Sequence, residues 1–100
     1  MSQRPRATGT VQIDNERIRV TEWRFPPGGE TGHHRHEYDY CVVPITTGRL
    51  VLEEVDGTRD GRLVTGQSYS RLAGVEHNVV NPNDFEFVFI DIELKNPRPA

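Results

Sequence analysis

No stretch of this chain offers ten residues of helical apolar period; short runs of β-branched and aromatic residues recur instead, each closed by a glycine, proline or Asp-Gly turn. VQID turns at Asn15-Glu16 into RIRVTEWRF, where apolar and charged residues alternate. Pro26-Pro27-Gly28-Gly29 is a loop, because neither proline can donate to a ladder. Turns are expected at Thr47-Gly48, at Asp56-Gly57, whose glycine tolerates positive φ, and at Asp60-Gly61. RLVLEEV, RLVTG, QSYSRLAG and VEHNVVN supply further strands, Pro82 breaks the last of these, and FEFVFIDIEL is the longest. Short, evenly spaced strands predict an all-β sandwich or barrel with no substantial helix.

One hundred residues make one domain with one core. It is expected over 10–95, after a flexible arm at 1–9 and before a tail at 96–100. In the longest strand Phe85, Phe87 and Phe89 line one side, continued by Asp91 and Glu93, while Val88, Ile90, Ile92 and Leu94 line the other. A strand apolar on both faces is covered on both. In so small a chain the second cover is expected to be another subunit, making a homodimer; a sandwich within one chain is the other way to bury it. A net charge of −3 gives no footprint for nucleic acid. No apolar run approaches the roughly 20 residues that cross a membrane. MSQRPRATGT lacks the apolar segment of a secretory signal, and a lone Cys41 forms no internal disulfide, so a cytoplasmic location is expected.

The chemistry concentrates between Gly28 and Gly48, where His33, His34 and His36 fall within four positions. His34 and His36 are two apart, so on a strand both point to one face, with Cβ atoms roughly 6.6 Å apart. Their imidazoles can converge on one ion, while His33 and Arg35 point away. A third ligand must come from another strand, and His77 is the remaining histidine. Neutral imidazole suits zinc, iron, nickel or copper, and magnesium or calcium much less; the cofactor expected is a divalent ion, iron, zinc, nickel or manganese. An H-x-H pair alone is a weak signal, since histidines near glycine loops are common at surfaces.

The frame around these residues resembles the cupin superfamily. Its first motif runs glycine, five residues, H-x-H, three or four residues, glutamate, six residues, glycine. Here Gly28 is followed by five residues, His34-Arg35-His36, four residues, Cys41, six residues and Gly48. The second motif runs glycine, five residues, P-x-G, two residues, histidine, three residues, asparagine. Here Gly66 precedes Leu72-Ala73-Gly74, His77 and Asn81 at those spacings, with Leu72 for proline and Cys41 for glutamate. The resemblance implies a small β-barrel, a double-stranded jelly roll, with a metal in its mouth and pairing of subunits through their sheets. Cysteine is too short to replace the glutamate as fourth ligand, so Cys41 is expected near the ion without binding it, leaving a three-histidine site. Asp39 or Tyr40 could substitute if the strand bulges, and Tyr40 holds the glutamate position of the shorter spacing.

Within the superfamily, three-histidine thiol dioxygenases carry a cysteine at the position of Cys41. The tyrosine crosslink that some of them use cannot be carried over, because no tyrosine follows His77. HRHEYDYCVVP is also similar to small single-domain cupins linked to β-alanine degradation. Tyr38, Tyr40 and Cys41 are catalytic candidates. Parity places Tyr38 or Tyr40, Trp23, Phe25 and Phe87 near the ion, and Arg24 and Arg71 could anchor a substrate carboxylate. Two readings of function follow. One is a metalloenzyme acting on a small, carboxylate-bearing molecule: dioxygenase-like with iron; a hydrolase, isomerase or decarboxylase with another ion. The other is a non-catalytic ligand-binding or sensor cupin. Metal-free acid–base work by the histidines is a third.

Overall fold

The computed structural model describes residues 3–95. Its strands are β1 (Thr8–Asp14), β2 (Ile18–Phe25), β3 (His34–Arg35), β4 (Asp39–Pro44), β5 (Gly48–Glu54), β6 (Gly57–Leu63), β7 (Tyr69–Arg71), β8 (Glu76–Val80) and β9 (Phe87–Leu94). They form two sheets, ordered β1-β2-β9-β4-β7 and β3-β8-β5-β6, which face each other as a jelly roll. Among the described residues there is no helix, hence none long and apolar enough to cross a membrane.

Alternation decides what each sheet turns inward. Along β2, Arg19, Thr21, Trp23 and Phe25 stand opposite Glu93, Asp91, Phe89 and Phe87 of β9. Phe25 and Phe87 are fully buried and join Val42, Leu50, Leu63, Val79 and Phe89 in the core. The same inward faces turn polar further along, so the packed end of the roll gives way to a polar one. The outer face of the first sheet carries Ile18, Val20, Cys41, Val43, Val88, Ile90 and Ile92.

Local turn signals fared unevenly. The β5–β6 turn is present but falls at Val55-Asp56, one residue before the expected Asp56-Gly57, and Gly57 opens β6 opposite Glu54 at φ 134°. Asp60-Gly61 is no turn: Gly61 pairs with Leu50 inside the β5–β6 ladder, and the hydrogen bonds of a full strand outweigh a local preference. The last strand begins at Phe87, leaving Phe85 44% exposed. Asn81 accounts for the late start. Fully buried, it donates from Nδ2 to the carbonyls of Pro26 (3.1 Å) and Phe85 (2.9 Å), while its Oδ1 accepts the Asn83 N–H at 2.9 Å.

The arm expected to be flexible is pinned over its described part, and the tail at 96–100 lies outside the described residues. Ala7 N–H donates to Glu30 O at 2.8 Å and Glu30 N–H to Pro5 O at 2.9 Å. Arg6 Nη1 donates to Thr31 O at 2.8 Å, and Arg4 bridges Glu30 and Glu53 at 3.1 Å each. Gly32, at φ 90°, holds a backbone conformation that favours glycine, and a side chain there would have to displace the Arg6 guanidinium. The arm thus clamps the loop that leads into the histidines.

Asn81→Ala removes the Phe85 carbonyl's donor and the Asn83 N–H's acceptor, and should cost about 1–3 kcal/mol. The denaturant midpoint should fall at unchanged slope; an unchanged midpoint would show that Asn81 is not the pin described.

Candidate metal centre

The register of the second sheet assembles the site. His34 on β3 pairs with His77 on β8, and His77 pairs with Glu54 on β5, so the three side chains form one row on the inner face. His36 lies just beyond β3, fixed by its N–H to Val75 O and by its carbonyl accepting the Gly74 N–H, both at 2.8 Å. Its ring turns back into the row. Nε2 of His36 stands 3.1 Å from Nε2 of His34 and 3.2 Å from Nε2 of His77.

This geometry fits a metal ion. Two nitrogens each about 2.0–2.1 Å from one zinc, at an angle of about 100°, stand about 3.1 Å apart. His34 Nδ1 lies 2.9 Å from Gly32 O, which can only accept, so Nδ1 carries the proton and Nε2 turns a lone pair toward the cluster. Burial, followed by the neighbouring His34 imidazole, pushes His36 down to about 4 and His77 down to about 3, keeping both neutral near pH 7. His77 Nδ1 is buried without a hydrogen-bond partner, and Glu54 Oε2 stands behind it at 3.9 Å, too far to bond. His33 turns outward to Glu76 at 2.9 Å.

Tyr40, not Cys41, occupies the inner face beside the histidines. Its ring stacks on His36 with centroids 3.7 Å apart and planes 13° from parallel. Stacking sets the face of the phenol, rather than its oxygen, against the imidazole, so Tyr40 supports the His36 ring. Cys41 pairs with Ile92 and Ser70 on the opposite face, so the expectation that it lies near the ion is not met. Asp39 shares that outer face and accepts the Ala73 N–H at 2.9 Å. The strand does not bulge, and strict alternation over β4 decides which residue faces in.

A cavity of about 670 Å³ opens beside the histidines, walled by Trp23, Val42, Leu50, Tyr69, Arg71 and Asp91 among others. Arg71 faces into it, bound to Glu54 at 2.7 Å. Arg24 does not: it lies on the outer face, paired with Glu86 at 2.8 Å and Glu22 at 3.3 Å. Phe87 belongs to the packed end of the core, and half-buried Tyr38 is not part of the wall. Sequence reasoning missed Glu54 and the role of Asp91. Glu54 could be found only by knowing that β5 pairs with β8. Asp91 did leave a signal, a carboxylate continuing the inward phenylalanine row. It is 6% exposed, and its Oδ1 has no hydrogen-bond partner. Burial, then the charge of Glu93, pushes its carboxyl up to about 7.

The cupin domain family matches residues 21–93 of this chain. BauB, a β-alanine degradation protein of Pseudomonas aeruginosa, is 58% identical over 95 residues, spanning 95% of this chain and 100% of that protein. The crystal structure of a cupin domain from Bordetella pertussis Tohama I superimposes with a TM-score of 0.95 at 62% identity, covering 96% of this chain and 100% of that one. A cupin superfamily protein from Desulfitobacterium hafniense shares the fold alone, at 16% identity and a TM-score of 0.71 over 96% of this chain and 84% of its own.

The raised Asp91 carboxyl makes a stability prediction. Its contribution is fully present below the unfolded value of about 3.9 and is lost as pH rises through the folded value of about 7. The denaturant midpoint of Asp91→Asn, relative to wild type, should therefore climb between pH 4 and 7 and level off above. A difference that stays flat with pH would contradict this environment for Asp91.

Proposed function

This chain is a member of the cupin family, and on that premise we propose that it is a metal-binding cupin acting on a small molecule held beside His34, His36 and His77. The observation that carries the reading is the convergence of three imidazoles on the wall of one cavity. Such a donor set suits divalent iron, zinc or nickel. When bound, the ion supplies Lewis-acid polarisation of a substrate oxygen, and iron adds dioxygenase-type chemistry.

The remaining work belongs to the chain. Gly32 O orients the His34 ring, and the Tyr40 ring braces His36. Arg71 presents a guanidinium whose Nη1 is bound to Glu54; a guanidinium has five N–H donors, so others remain for a substrate carboxylate. Trp23, Val42 and Leu50 give the cavity apolar lining. The β-alanine degradation role for which the Pseudomonas relative is named supports a place in the breakdown of β-alanine or of a small acid derived from it. The apolar outer face of β2, β9 and β4 supports the pairing of two copies, since an apolar patch on a two-fold axis is its own complement.

Protein made without a histidine tag should carry about one divalent ion per chain, as tetrahedral and open catalytic sites do. His34→Ala and His77→Ala should each remove it. No ion in any preparation would sink the metal reading, and an ion without turnover of small acids would leave a binding or sensor cupin. The mass in solution should be twice that of the chain and should halve in Ile92→Glu; a monomeric wild type would rule out the pairing.

A further inference from the structure

Asp91 is a carboxylate that the metal reading leaves unused. It lies between Thr21 of β2 and Val42 of β4, with its side chain on the cavity wall. The two arginines on the inner strands around it are each already matched, Arg19 to Glu93 and Arg71 to Glu54, both at 2.7 Å. Arg19 is near enough for its charge to favour ionised Asp91, but its guanidinium bonds Glu93, and Asp91 Oδ1 has no hydrogen-bond partner. A buried carboxylate without a partner is costly, and a cation with N–H donors is what offsets that cost. The walls supply the other half of such a site: Trp23, Tyr40, Tyr69 and Phe89 line the same cavity, and aromatic faces attract organic cations. The buried Tyr40 hydroxyl also lacks a hydrogen-bond partner and offers a further acceptor.

We propose that the cavity takes a small molecule bearing an ammonium group, held by Asp91 as its counter-ion, with the other end of the molecule toward the histidines. The proposal rests on the reading that this cavity is the substrate site. It also gives the substrate two differently charged ends: Arg71 suits a carboxylate, and Asp91 suits an amine. A molecule too short to span them would engage only one.

Calorimetric titration of the protein with its metal complement tests this, using ω-amino acids of three to six carbons, each paired with the fatty acid of the same length. At one or more lengths the amino acid should bind at least about tenfold more tightly than its fatty acid, a difference of about 1.4 kcal/mol. Asp91→Asn should abolish that preference while leaving metal content unchanged. Equal affinities at every length in wild type would overturn the amine site but spare the cavity reading, as would a preference that survives Asp91→Asn. Binding of neither series would overturn the cavity reading itself, and the amine site with it. The wild-type comparison decides the matter even if the variant does not fold.

Discussion

The antiparallel register of β3, β8 and β5 is the constraint on which the rest depends. It places His34, His77 and Glu54 in one row, and a slip of one residue would turn every member of a strand to the outer face. Leu50, Leu52 and Val79 hold that register by their burial on the same face, so the hydrophobic core and the imidazole cluster are set by one alternation. At the sheet's edge β3 is only two residues long, and two further devices keep it in place. His36 is tied by two backbone hydrogen bonds to the β7–β8 segment, and the N-terminal arm clamps the preceding loop through Arg4 and Arg6.

That clamp shows what the sequence could and could not reveal. The alternation of His34 and His36 and the strand nature of the chain are local, and both were legible. Arg4 and Arg6 bond to residues more than 20 positions away, and nothing near Pro5 announces an ordered segment. Asp60-Gly61 reads as a turn by itself but is carried through a strand by β5. The motif spacing put Cys41 in the glutamate slot, whereas unbroken alternation along β4 gives the inner position to Tyr40. Counting residues within a motif therefore located the histidines, and only strand parity could decide the neighbour that supports them.

Strand β9 divides the molecule's tasks along its length and between its faces. Inward, Phe87 and Phe89 close the core, after which Asp91 and Glu93 introduce charge beside the histidines. Outward, Val88 is buried within the chain, while half-buried Ile90 and Ile92 form an apolar strip flanked by β2 and β4. Placing a carboxylate such as Asp91 inside costs stability, as groups at functional sites commonly do. The neutral His36 and His77 carry a similar cost, since burial disfavours their protonated forms.

The central claim is that three imidazole nitrogens, with no thiolate, hold one ion. X-ray absorption fine structure at the edge of the bound metal tests it directly. The account predicts about three imidazole nitrogens at about 2.0–2.1 Å and no sulfur scatterer. A sulfur shell at about 2.3 Å would place Cys41 on the ion, and a shell of oxygens without imidazole would move the metal elsewhere; either would contradict it.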